Sequence, residues 1–174
     1  MVSGKPTVRQ IAWISIIPQM LFMAFLGVVY FTFIESKFLA AYLTCLTYLI
    51  VSFTLRLSLT HNHRKGMILI RDDKYELAID EFQKSYSFFS KHAWIDRYRF
   101  ITMLSSSKIS YSEMALVNIA FCYSQIGDGR KTKDYYLKAL DQFPNSEIVK
   151  TFLKTIESIE NSIKVDNISN QTKI

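Results

Sequence analysis

The sequence predicts an all-α protein in which two apolar helices precede a chain of amphipathic ones. Three observations carry this reading. Residues 10–34 and 38–55 hold no charged side chain. From about residue 57 apolar residues recur at helical spacing, and strand signals are scarce. Residues 60–174 contain a single proline, Pro144. A length of 174 residues suits one domain, or one small domain with an appendage. The composition excludes a disordered chain, a collagen-like chain and a disulfide scaffold. The two long uncharged runs argue against a freely soluble protein.

The first elements are the two apolar runs. A helix needs about 20 residues to cross a hydrocarbon core of about 30 Å. Ile11–Ile34 supplies 24, and Phe38–Leu55 supplies 18 with apolar character continuing through Leu57 and Leu59. The link Glu35-Ser36-Lys37 is long enough to reverse the chain and too short for a domain. The expectation is an arm over residues 1–10 and a transmembrane hairpin over 11–59, with spans at about 11–34 and 38–59. The first run is too long for a signal-peptide core. Lys5 and Arg9 precede the first span, and Arg56, Arg64 and Lys65 follow the second. By the positive-inside rule both termini face the cytoplasm. Arg56, Arg64 and Lys65 then lie at the membrane surface, where anionic lipid attracts them. Pro18, beside Gln19, is expected to bend the first span. Small residues in the second (Ala41, Thr44, Cys45, Thr47 and Ser52) are expected to pack on the first span or on another copy. Trp13, Tyr30 and Tyr48 are candidates for interfacial anchoring.

The amphipathic part divides at local breakers. Helices are expected over about 57–71, 74–90, 93–105, 110–126, 130–142 and 146–163. The breaks fall at Asp72-Asp73, at Ser105-Ser106-Ser107, at Gly127-Asp128-Gly129 and at Phe143-Pro144-Asn145. Residues 165–174 are polar and are expected to form a disordered tail.

Two stretches are alike. One carries Gly66, Leu69, Tyr75, Ala78, Phe82 and Ser85. The other carries Leu116, Ile119, Ala120, Tyr123, Gly127, Thr132, Tyr136, Ala139 and Pro144. The spacing resembles the tetratricopeptide repeat, a 34-residue helix-turn-helix. Small Ala120 and Ala139 would let paired helices approach, Tyr123 would fill the groove between them, and Gly127 would close the first helix in a left-handed conformation. The copies, at about 59–92 and 113–146, lie 54 residues apart, which leaves an insert near 91–110. The insert holds Trp94, Tyr98, Phe100, Ile101 and Leu104 and is expected to pack. A terminal helix at about 146–163, with Ile148, Phe152, Ile156 and Ile159, would cap a short α-solenoid spanning 60–164. The layout, with the stretch Trp94-Ile95-Asp96-Arg97-Tyr98-Arg99 and the run Asn118–Tyr123, also resembles bacterial membrane proteins that carry two N-terminal spans and a short tetratricopeptide domain.

The repeat resemblance implies a partner. Such arrays bind peptide segments on the concave face of their first helices. Matched to the motif, that face comprises His63, Met67, Ile70 and Arg71 in the first copy. In the second it comprises Met114, Val117, Phe121, Ser124 and Gln125. Most are apolar, which suits an amphipathic helix or an extended apolar peptide. Met67 and Met114 stand where a carboxylate clamp would need Lys and Asn, which argues against clamp-type chaperone binding. The inserted Trp94 helix is the alternative occupant of that groove.

Chemical motifs are sparse. There is no phosphate loop, nucleotide fingerprint or zinc-ligand set. His61 and His63 point apart on a helix and suit a polar cluster better than a metal. Ser105-Ser106-Ser107-Lys108 has no visible orienting partner for a nucleophile. Cys45 and Cys122 read as buried small hydrophobes. From residue 60 on, 17 Lys/Arg face 14 Asp/Glu, too even a balance to make nucleic acid the expected partner. The expectation is a membrane-anchored, cytoplasm-facing interaction module of a bacterial membrane, with no enzymatic activity and no cofactor. It would bind a protein or peptide partner and the lipid bilayer, with homo-oligomers as a further option. The alternative is a structural or assembly subunit that associates through its hairpin.

Overall fold

The computed structural model describes residues 16–103, 105, 107 and 109–171, and side chains as far as residue 162. The expected arm at 1–10, Trp13, Leu104, Ser106 and Lys108 lie outside the described residues. Among the described residues the fold is all-helical, with nine helices and no extended strand. They are α1 (Ile16–Phe33), α2 (Lys37–Leu59), α3 (His61–Arg71), α4 (Tyr75–Lys91), α5 (Ala93–Arg97), α6 (Arg99–Thr102), α7 (Tyr111–Gln125), α8 (Gly129–Gln142) and α9 (Glu147–Gln171). The chain forms two compact units. One joins the residues up to His61 with Ser87–Tyr111, and the other joins Asn62–Tyr86 with Ser112–Ile174.

In the first unit α1 and α2 are both long and apolar enough to cross a membrane. They pack on each other. The Tyr30 hydroxyl and Thr47 Oγ1 share a hydrogen bond of 2.9 Å, and the rings of Phe22 and Tyr48 lie 6.3 Å apart. Ser36 caps α2, its hydroxyl accepting from the Leu39 amide at 3.5 Å. The inward face of α2 is Ala40, Thr44, Thr47 and Ser52, while Ala41 and Cys45 are exposed. The expected small face is therefore rotated: Thr44, Thr47 and Ser52 keep their place, and Ala40 takes the role expected of Ala41. A step of one residue turns a side chain by about 100° around a helix. Pro18 falls in the first turn of α1, where its missing amide removes no bond within the described helix. The bend expected there involves residues 11–15, which are not described.

The insert completes this unit. It forms two short helices, α5 and α6, instead of one helix over 93–105. Their inward residues Ile95 and Met103 pack with Leu59, Phe88, Phe89 and Tyr111. Buried Asp96 reaches 15 residues along the chain to accept the Tyr111 amide at 2.8 Å, which holds the start of α7. The serine stretch is tied up locally. Ser107 Oγ donates to the Ile109 carbonyl at 2.9 Å, and Arg99 Nε donates to the Ser107 carbonyl at the same distance.

In the second unit four helical segments and α9 enclose the core. Leu116, Val117, Ala120, Tyr136, Ala139, Val149 and Leu153 form one cluster, and Ile70, Ala78, Ile79, Phe82, Ile119 and Cys122 form another. Gly66 lets α3 meet α4: a Cβ there would stand 2.8 Å from the Phe82 ring. Asp128 caps α8 and Ser146 caps α9, through bonds from the Lys131 and Val149 amides. The Tyr136 and Phe152 rings stack at 5.1 Å, and Lys133 meets Glu160 at 2.7 Å, so α9 covers α8.

Two boundaries differ from expectation. The helix expected over 57–71 breaks at Thr60, whose hydroxyl and amide both bond the Arg56 carbonyl and end α2. The terminal helix runs past 163 to Gln171, across most of the residues expected to form a disordered tail. The stretch from Glu147 to Gln171 holds no Gly or Pro, so nothing in its composition stops the helix.

Candidate interaction surface

The side chains expected to line a groove divide by burial. His63, Ile70 and Val117 are buried in the second unit, Met67, Met114 and Phe121 are half-buried, and Arg71, Ser124 and Gln125 are exposed. The buried three are core side chains. The His63 ring meets Phe82 edge-on at 5.3 Å, and Ile70 and Val117 each join a core cluster. Burial pushes the His63 imidazole down to about 4, so it is neutral at physiological pH.

The remaining residues lie on α3 and α7. Met67 and Arg71 stand one turn apart on α3. On α7, Met114, Phe121 and Gln125 share a stripe with Asn118, which the motif matching had not singled out. Asn118 Nδ2 approaches Met67 Sδ at 3.7 Å, and the Phe121 ring lies 6.3 Å from that of Tyr75, nearly edge-on. The first contact joins α7 to α3, and the second joins α7 to the start of α4. The signal for Asn118 was the spacing 114, 118, 121, 125, which is one helical face. The Tyr75 hydroxyl donates to Asp73 Oδ1 at 2.8 Å, and that bond is the main reason its phenol titrates above the usual range.

The half-buried residues, Met67, Met114 and Phe121, are apolar, and the exposed ones, Arg71, Ser124 and Gln125, are polar. Half-exposed thioethers and an aromatic ring are adaptable partners for apolar side chains. Among the described residues no three His, Cys, Asp or Glu side chains converge as metal ligands. Cys122, enclosed in the core, has its thiol pushed up to about 12 by burial, which leaves it un-ionised.

The three cationic residues expected at a membrane surface have different settings. Arg56 Nε donates to the Met103 carbonyl at 3.2 Å, within the first unit. Arg64 is exposed, and Lys65 pairs with Glu81 at 2.9 Å. Glu81 is itself buried between Lys84 and Lys65, whose hydrogen bonds hold its carboxyl below the ordinary range. A recess beside Arg56 is lined by Leu49, Ile50, Ser52 and Phe53.

Comparison with known proteins adds no relative: no family model, curated protein or solved structure matches the chain.

Proposed function

We propose that this protein is a membrane-anchored interaction module whose helical pairs, similar to tetratricopeptide repeats, present an apolar face to a protein partner in the cytoplasm. The observation that carries the reading is the contact of Met67 with Asn118, which joins the first helices of two like pairs, with Met114 and Phe121 on the same α7 stripe as Asn118. Their large side chains remain partly open while their neighbours His63, Ile70 and Val117 are closed into the core. A groove of this chemistry takes the apolar stripe of an amphipathic helix.

Anchoring rests on α1 and α2. Ile17, Leu21, Phe25 and Val28 on α1, and Phe38, Tyr42, Leu49 and Phe53 on α2, are exposed. Water would penalise so large an apolar surface, and lipid would not. With Arg56 at the end of α2 and Arg64 and Lys65 following, the positive-inside rule places the C-terminal part in the cytoplasm. The bacterial cytoplasmic membrane is the location the layout resembles.

A photo-crosslinking residue at Phe121 in intact cells tests the partner site. A reproducible foreign protein supports the module. Products confined to this chain sink the partner reading and favour a second one, a subunit that assembles through its membrane helices. Ala41 and Cys45, small, exposed and one turn apart on α2, are the observation that favours it.

A further inference from the structure

The insert carries a feature that the two apolar helices do not explain. Ser87–Tyr111 belongs to the first unit, with α1 and α2. Arg56 Nε holds the Met103 carbonyl at 3.2 Å, and α6 packs against α1. The segment is therefore fixed at the end of the apolar pair where α2 carries its arginine.

Its two sides differ. Ile95 and Met103 turn inward. Trp94, Tyr98 and Ile101 turn outward and are 60%, 48% and 57% exposed. Trp94 and Tyr98 stand one turn apart, the Tyr98 amide bonding the Trp94 carbonyl at 3.0 Å, and Ile101 follows on α6. Lys91 and Arg97 are exposed beside them. The only acidic residue between Ser87 and Tyr111 is Asp96, which is buried and occupied by the Tyr111 amide. The outward surface thus combines tryptophan, tyrosine and isoleucine with cations and exposes no carboxylate.

That combination matches the headgroup layer of an anionic bilayer. Tryptophan and tyrosine settle where an apolar ring can sit shallowly with its polar edge in water, and lysine and arginine meet lipid phosphates. We infer that the insert lies in the membrane interface, with Trp94, Tyr98 and Ile101 among the headgroups and Lys91 and Arg97 on anionic phosphates. This is a third point of attachment beside the spans, and it rests on reading α1 and α2 as spans.

Trp13→Phe leaves Trp94 as the sole tryptophan of the full chain. The protein is reconstituted into vesicles of phosphatidylglycerol and brominated phosphatidylcholine. Lipids brominated near the headgroup should quench Trp94 about twofold more than lipids brominated near the bilayer centre, and aqueous iodide should act weakly. Quenching by iodide without quenching by bromine would put Trp94 in water. Protection from both would put it under protein. Either result overturns the inference. A second probe, Phe25→Trp in a Trp13→Phe, Trp94→Phe chain, reports on α1 alone and should respond to the deep bromines. If position 25 responds and Trp94 does not, the spans stand and the insert fails. If position 25 is silent, the span reading fails by itself. Lys91→Glu with Arg97→Glu should lower the shallow quenching of Trp94 about twofold in these vesicles. Unchanged quenching would overturn the contact with phosphates.

Discussion

Asp73 and Gly127 occupy the same place in two turns, 54 positions apart in the chain. Both are left-handed, with φ of 57° and 81°. Each is followed by a residue whose amide bonds the carbonyl five positions back, Lys74 to Leu69 at 2.9 Å and Asp128 to Tyr123 at 3.0 Å. The same offset relates Gly66 to Ala120, Ala78 to Thr132, Phe82 to Tyr136 and Ser85 to Ala139, and all eight are buried. The two pairs thus share a register of turns and of core positions, which supports reading them as copies of one unit.

The turn makes a prediction at its glycines. Gly127 and Gly129 both have open space where a Cβ would stand, and only Gly127 has a positive φ. Gly127→Ala should therefore cost about 1 kcal/mol through backbone strain alone. Gly129→Ala, at the first residue of α8, should be neutral or stabilising by up to about 1 kcal/mol. Urea unfolding of the detergent-solubilised protein measures both. Equal losses would show that the turn is not held as described.

The shared register also marks a defect. The Ser85 hydroxyl is buried and has no hydrogen-bond partner among the described residues, and its counterpart is Ala139. Removing a buried, unpaired hydroxyl spares its desolvation cost. Ser85→Ala should stabilise the protein by about 1 kcal/mol in the same unfolding measurement. A loss of stability would mean the hydroxyl has a partner after all.

Much of this layout was legible because its signals are local. Asp72-Asp73, Gly127 and Phe143-Pro144 stop helices through the chemistry of a few adjacent residues, and α4, α7 and α8 fall within a residue or two of expectation. Long-range bonds left no such trace. Nothing near Asp96 in the sequence says that it will hold the Tyr111 amide, or that Tyr98 will divide the insert into two helices. The face was harder still. A repeat motif sets which helix a residue belongs to, while the rotation of that helix follows from packing. His63 and Val117 are turned inward by Phe82 and Tyr136, which lie far along the chain.

Gly66 is the point of closest approach between α3 and α4. An added methyl would meet Phe82 Cε1 and Cζ at 2.8 Å, and that ring is fully buried against His63 and the core. Gly66→Ala should cost about 1–3 kcal/mol by overpacking. Trimming the ring in a Gly66→Ala, Phe82→Leu double variant should recover part of the loss relative to the sum of the single changes. Additive losses would mean that the two side chains do not meet.

His63 should make the second unit sensitive to mild acid. Its imidazole titrates at about 4 when folded, against 6.5 in an exposed chain, because burial disfavours the cation. The unfolded chain therefore takes up the proton first as pH falls. The stability that neutral His63 permits is complete above about 6.5 and declines as pH falls from 6.5 to 4. Over that window the loss attributable to this group amounts to about 3 kcal/mol, and below it both states are protonated. Carboxylates titrate in the lower half of the same range, so the comparison that isolates the histidine is wild type against His63→Leu. The wild type should lose stability between pH 7 and 5 with a slope of up to about 1.4 kcal/mol per pH unit, and His63→Leu should lose that component. Parallel pH profiles for the two proteins would show that the ring is not enclosed against Phe82.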